Sequence, residues 1–328
     1  MLVLSKKDLD AILSMKDVID AVEEGFRQYA MGTVTMPLRS SLPVPKYKGS
    51  MGMMPCFIDG MDALGLKSVG GWRDNPSKYN LPFIMGIVTL IDPRNGVPLA
   101  LLNGAWVTEM RTGAVTGVAA KYLAREKSMT MGLFGAGAQA RTQLRAVKEV
   151  RNITDVHVFD PMTSNRDKFC KEMSQILKIN VKPVDNPAEA VKSCDIIVTA
   201  TTSQNPVFDG KWLEEGTFIS GVGSHFGPKI KELDGTTIKS SKVVVDQKEA
   251  CLKEAGDIMD PIADGLIKED HIYAELGEVI IGSKKGRVND KEITLFKSVG
   301  IALQDLATAR KAFDIARIKH LGVDIPEF

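Results

Sequence analysis

Residues Met129 to Arg141 read MTMGLFGAGAQAR. Six largely apolar residues, Met129 to Phe134, lead into Gly135-Ala136-Gly137-Ala138-Gln139-Ala140, and a helical pattern runs from Ala138 to about Val150. A strand, a tight glycine turn and a helix in that order make a pyrophosphate cradle. Gly135 permits the turn, Gly137 lets the backbone approach the phosphates, and Ala140 keeps helix and strand close. The helix N-terminus supplies N–H donors and partial positive charge. A second strand, Asp155 to Phe159, ends at Asp160, 23 residues after Gly137, where an acid accepts hydrogen bonds from the adenosine ribose. A bare GxGxxA also fits an ordinary strand-to-helix turn; the register of all five pieces argues for a dinucleotide site. Asp160 favours NAD, since a carboxylate repels a 2′-phosphate, while Arg166 nearby leaves NADP open.

The 328 residues suit two domains. The hydrophobic fraction of 44% is that of a globular protein, and a net charge of +1 carries no electrostatic footprint for nucleic acid or a membrane surface. Cys56, Cys170, Cys194 and Cys251 are widely spaced with no CxxC, a pattern that fits a reducing compartment, while the even count leaves disulfides open. The first 26 residues mix charges every few positions and lack the apolar core of a signal peptide. No segment approaches the roughly 18 apolar residues of a membrane span. A cytoplasmic protein is expected.

Residues 1–128 read as a mixed α+β unit. Ser5 and Ser14 can cap two helices, and Val18, Ile19, Val22 and Phe26 form one helical stripe. Strands follow at Gly52 to Ile58, Ala63 to Val69 and Ile84 to Asp92, and Asp92-Pro93-Arg94-Asn95-Gly96 turns into a returning strand, Val97 to Asn103. Thr108 to Ala124 is a helix rich in Gly and Ala, suited to close packing. Residues 129–300 alternate strand and helix, which predicts a parallel sheet. Its further strands are Val181 to Val184, Asp195 to Ala200, Thr217 to Gly223 and Lys242 to Asp246. Ligands sit at the carboxyl ends of such strands, so Thr201-Thr202-Ser203, Gly221-Val222-Gly223-Ser224 and Asp246 should ring the cofactor. A last helix from Ile301 to about Lys319 returns to the first domain.

Four segments now carry a resemblance: Leu64 to Pro76 (LGLKSVGGWRDNP), Asp92 to Ala124, Met131 to Arg141 and Tyr273 to Asp305. Over nearly its whole length the chain resembles the ornithine cyclodeaminase/mu-crystallin family, which includes ornithine cyclodeaminases, archaeal-type alanine dehydrogenases and ketimine reductases. The resemblance implies an α/β protein. An α+β substrate and dimerisation domain (1–128 plus 301–328) joins a doubly wound Rossmann domain (129–300), and a homodimer is implied.

It also implies that Arg39, Lys67 and Arg111 hold the substrate, the arginines by forked contacts to its carboxylate and Lys67 by polarising or protonating the imine or carbonyl. Each has a plainer reading: Arg39 as a solvated loop residue, Lys67 as an unusual lysine on an apolar strand, Arg111 as a helix-start residue opposed by the dipole. Cofactor contacts are expected from Thr112, Gly135, Gly137, Ala138, Gln139, Asp160 and Arg166, and beyond the later strands from Thr201, Thr202, Val222, Gly223, Ser298 and Gly300.

Two positions depart from the cyclodeaminase pattern. Where those enzymes carry a catalytic aspartate the chain reads Gly223-Ser224-His225, and Phe83 replaces a family threonine. His225 at a strand's carboxyl end is a candidate to manage a proton or a water, or a hydrogen-bonded structural residue. Asp257 and Asp260 resemble family loop residues, and capping explains them equally. No His, Cys or acid spacing matches a metal site. The sequence therefore predicts a nicotinamide-dependent oxidoreductase acting at the Cα–N bond of a small amino or imino acid, of alanine dehydrogenase or ketimine reductase type. An ammonia-releasing cyclodeaminase with bound NAD and a non-catalytic NAD(P)H-binding protein are the alternatives.

Overall fold

The computed structural model describes residues 1–223 and 230–326; Ser224 and His225 therefore lie outside the described residues. The chain divides into two compact units, 1–111 with 301–328, and 112–300.

The first unit opens with β1 (Leu2–Leu4), α1 (Lys6–Ile12) and α2 (Met15–Ala30). Ser5 and Ser14 each accept a hydrogen bond from the backbone N–H three residues on, and Asp8 and Asp17 reach back, which completes two capping boxes. β2 (Val34–Thr35), β3 (Ser40–Val44), β4 (Gly49–Ile58), β5 (Ala63–Trp72), β6 (Ile84–Ile91) and β7 (Pro98–Asn103) follow, then α3 (Gly104–Leu123), which crosses the division between the units.

The second unit contains β8 (Thr130–Phe134), α4 (Ala138–Val150), β9 (Asp155–Phe159), α5 (Thr163–Leu177), β10 (Asn180–Pro183), β11 (Ile196–Thr199), β12 (Phe218–Gly221) and α6 (Gly235–Ser240). It continues through β13 (Lys242–Val245), α7 (Lys248–Glu254), α8 (Gly256–Ala263), β14 (Ile272–Glu275), α9 (Leu276–Ile280) and β15 (Thr294–Lys297). The chain then returns to the first unit with α10 (Ala302–Lys319) and β16 (Val323–Asp324).

The first sheet has the order β16-β1-β7-β6-β5-β4-β2, with β3 also on β4. The antiparallel register of β4, β5 and β6 sets Met54, Lys67 and Val88 side by side, all buried. Strand alternation puts one side of this sheet under α2 and α10. Gly65 is needed there: a Cβ would lie 2.0 Å from the Thr89 carbonyl oxygen and 2.7 Å from a Leu306 methyl of α10. Two residues along the same face, Lys67 meets the first turn of that helix.

The second sheet is parallel throughout, ordered β10-β9-β8-β11-β12-β15-β13-β14. Its first five places follow the 3-2-1-4-5 order of the Rossmann fold, and the sixth is taken by β15, the last strand of the sheet in the chain. The strands expected from sequence are present, and β14 and β15 are additions. β15 reads Thr-Leu-Phe-Lys with every residue buried, so its polar ends conceal a central strand. The crevice where strand order reverses lies at the carboxyl ends of β8 and β11.

Candidate active site

In the second unit β8 delivers the chain to Gly135, whose φ of +98° is open to glycine; a Cβ there would stand 2.7 Å from the Ala200 carbonyl oxygen. Gly137 is the N-cap of α4. It has no side-chain cap, and a Cβ built on it meets nothing within 4 Å. The helix therefore presents backbone N–H groups across an open, glycine-floored approach, with Ala138 exposed and Gln139 half-buried. These residues fit a nucleotide pyrophosphate, which belongs on such an N-terminus.

Arg141, which sequence reasoning missed, steadies the turn. Its Nη1 donates to the carbonyls of Ala136 (3.1 Å) and Gly137 (3.0 Å), while Glu172 holds the rest of the guanidinium. Asp160 sits beside the same turn, accepting from the backbone N–H of Ala136 at 2.9 Å and of Met162 at 2.8 Å. Arg166 is buried and donates to Asp167 (3.0 Å), Asp185 (2.7 Å) and the Val184 carbonyl (2.8 Å). The carbonyl of Thr112 accepts from buried Gln143 of α4.

The strand ends beyond β11, β12 and β15 are organised by buried acids, of which Glu232 was not singled out by the sequence. Glu232 accepts from Thr199 Oγ1 (2.8 Å), the Thr201 N–H (2.6 Å) and the Gly223 N–H (2.7 Å). Asp246 accepts from Ser298 Oγ (2.7 Å) and from the N–H groups of Val299 (2.9 Å) and Gly300 (2.7 Å). Thr202 is exposed and Val222 half-buried, its N–H on the Thr199 carbonyl. Asp257 is fully buried, paired with Lys297 and accepting from the N–H groups of Glu232 and Leu233, whereas Asp260 is a surface partner of Lys231. Capping thus fails to explain Asp257.

In the first unit Lys67 on β5 is 1% exposed, and its Nζ donates to Oδ1 of Asp305 at 2.7 Å. Arg111 Nε donates to that same oxygen at 3.0 Å, and Arg111 Nη1 to Gln304 Oε1 at 2.6 Å. Arg39 is half-buried, and its charge is felt at Lys67. Burial first, then the Arg111 guanidinium, with a smaller push from Arg39, bring the Lys67 ammonium down from the ordinary lysine value to about 7, while Asp305 pulls the other way. Lys67 and Arg111, both anticipated from sequence, are therefore brought together on an aspartate that was not anticipated, with Arg39 near enough for its charge to act on Lys67. Lys67 and Arg111 share one carboxylate oxygen, an arrangement with the chemistry to receive an anion. Phe83 is half-buried, and its carbonyl accepts from the Trp72 N–H, continuing the pairing of β5 with β6.

Among the described residues no group of three or more His, Cys, Asp or Glu side chains could hold a metal ion. No helix of the described residues is long and apolar enough to cross a membrane.

A model of the ornithine cyclodeaminase/mu-crystallin family matches residues 1–320. The alanine dehydrogenase of Archaeoglobus fulgidus is 38% identical over 100% of this chain and 98% of its own. The structure of Thermococcus litoralis Δ1-pyrroline-2-carboxylate reductase in complex with NADH and L-proline matches with a TM-score of 0.96 and 46% identity, covering 99% of this chain and 100% of that one. An archaeal alanine dehydrogenase dimer with bound NAD matches with a TM-score of 0.93 at 37% identity, over 100% of this chain and 99% of that one.

Proposed function

The chain belongs to the ornithine cyclodeaminase/mu-crystallin family, and we propose that within it the protein reduces a small cyclic imino acid of the Δ1-pyrroline-2-carboxylate kind. It is an NAD(P)-dependent oxidoreductase of the Cα–N bond of small amino or imino acids. The observation that carries the reading is the buried group of Lys67, Arg111 and Asp305, with Arg39 near enough to add its charge. The 46% identity to a reductase solved with L-proline favours a cyclic imine. The length-wide similarity to alanine dehydrogenases supports a second reading, in which pyruvate and ammonia are the substrates.

The nicotinamide, when bound, supplies the hydride that reaches Cα. Arg111, its Nε and Nη1 fixed by Asp305 and Gln304, directs its remaining terminal nitrogen at the substrate carboxylate, and Arg39 adds a second cation to it. Lys67 gives its proton to the imine nitrogen as Cα gains the hydride, and takes it back when the amino acid is oxidised. A pKa near 7 lets one group do both. In the second unit the α4 N-terminus holds the pyrophosphate, and Asp160 the ribose hydroxyls. Thr112, Gln139, Thr201, Thr202, Val222, Gly223, Ser298 and Gly300 complete the proposed cofactor wall. His225 stays a candidate for handling a proton or water. With Arg166 bonded to Asp167, Asp185 and Val184, the set suits NAD.

A homodimer is proposed on the far side of the first sheet. Leu64, Leu66, Ile87, Leu99 and Leu101 alternate with the core positions, and Ile87 is 46% exposed, so the sheet is apolar on both faces. Four buried, unpaired cysteines support a cytoplasmic location.

A paired assay tests the reaction. NADH oxidation with Δ1-pyrroline-2-carboxylate should exceed that with pyruvate plus ammonia, and L-ornithine should release no ammonia. The reverse ranking would make the protein an alanine dehydrogenase, and ornithine turnover without net NADH change would make it a cyclodeaminase.

Protonated Lys67 is the reductive acid, so kcat/KM for imine reduction should fall as pH rises through about 7, and that for amino-acid oxidation should rise. Lys67→Arg should remove this inflection from whatever activity persists; an unaltered profile would move the proton to another group. Asp160→Ala should weaken NAD binding more than NADP binding by titration calorimetry, and equal losses would end the ribose argument. Ile87→Glu should convert a dimer to a monomer in light scattering. A dimer surviving that substitution would place the interface elsewhere.

A further inference from the structure

Three charged side chains lie fully buried where β11, β12 and β15 end: Glu232, Asp257 and Lys297. None is a residue of the proposed chemistry. Lys297 Nζ pairs with Asp257 and donates to the Gly223 carbonyl at 2.9 Å. Glu232 presents each carboxylate oxygen to a backbone N–H, Thr201 on Oε1 and Gly223 on Oε2, and Thr199 Oγ1 adds a third donor. Burial pushes the Glu232 carboxyl up, with Lys297 pulling it down and Asp257 adding to the rise, but both of its oxygens are taken as acceptors by N–H and O–H donors, which is the geometry of a carboxylate. A side chain on Gly223 would meet the Glu232 carboxylate at 2.4 Å, so the contact is as close as the backbone permits. Two carboxylates against one ammonium leave one negative charge with no solvent to screen it.

In a sheet of this order the second mononucleotide half ends at β11, β12 and β15, so the nicotinamide belongs at this end. That ring is cationic when oxidised and neutral when reduced. We propose that Glu232, with Asp257 and Lys297, sets the preference of the nucleotide site for the oxidised over the reduced nicotinamide. Glu232 acts through the backbone of Thr201 and Gly223 and through its field, as a positioning residue and not a catalytic one. A site tilted toward the oxidised ring increases the drive for hydride donation to an imine. Nearby Asp246, held by neutral donors, adds to the same field. The inference rests on the nucleotide reading of the second unit.

The test is the pair of dissociation constants for NAD+ and NADH on the full-length protein, by calorimetry and NADH fluorescence. Glu232→Gln should raise the ratio Kd(NAD+)/Kd(NADH) roughly three- to tenfold. Asp257→Asn, whose amide oxygen can still accept from Glu232 and Leu233, should move the ratio the same way, and it carries the test should Glu232→Gln not fold. Glu232→Asp, which keeps the charge, should hold the ratio near the parent value. Equal weakening of both nucleotides, or no change, in the neutral variants would overturn the inference and leave a purely structural network. Failure of the unaltered protein to bind either nucleotide would instead overturn the nucleotide reading itself.

Discussion

One carboxylate oxygen, Oδ1 of Asp305, accepts from two cations at once, and the first unit is arranged around it. Lys67 comes from β5, Arg111 from α3 and Asp305 from the first turn of α10, so a single anion fixes three elements to one another. Burying such charges is unfavourable unless they are paired, and removing one partner from a buried pair costs about 3–5 kcal/mol. The first turn of a helix is the favourable place for the anion, because the dipole there is positive. Asp305 therefore makes it feasible to keep a lysine and an arginine inside an apolar sheet face. It does not cancel the Arg111 charge at Lys67, which together with burial lowers the lysine.

The second unit solves a related problem at the end of its sheet. Strands that stop together expose N–H groups to the loops that follow, and a buried N–H needs an acceptor. Glu232 and Asp246 supply those acceptors for Thr201, Gly223, Val299 and Gly300. The glycine turn after β8 is handled in the opposite sense. Arg141 takes up its carbonyls, and the N–H groups at the helix start face outward. A dinucleotide crevice thus has cationic ties where backbone oxygens must be held and anionic ties where backbone nitrogens must be held.

Local features of both units were legible in the sequence. The capping boxes at Ser5 and Ser14, the hairpin at residues 92–96 and the strand-turn-helix around Gly135 depend on residues a few positions apart, and their periodicity or turn chemistry announces them. The strand β15 was not legible, because Thr294 and Lys297 interrupt an apolar pair and their burial depends on partners elsewhere. Asp305 was hidden for the same reason. It stands 238 residues from Lys67, and nothing in an amphipathic helix marks one aspartate as internal. Lys67 and Arg111 were found through resemblance to a family; the anion that joins them emerges only from packing.

Arg166 illustrates how partners decide a residue's meaning. From sequence alone it could accommodate a 2′-phosphate, since it follows the acid at the end of β9 by a few residues. Its guanidinium instead joins the start of α5 to the carboxyl end of β10 through Asp185 and the Val184 carbonyl. To bind phosphate, Arg166 would have to give up its bonds to the exposed Asp167 and Asp185 and to the buried Val184 carbonyl, which would then be left unmet. Asp160, by contrast, accepts one backbone N–H on each oxygen, from Ala136 and Met162, and so keeps acceptor capacity on both. A ribose bearing two hydroxyl donors matches that surplus, and a phosphate ester does not. The preference for NAD proposed here follows from what Arg166 is bonded to as much as from the acid at position 160.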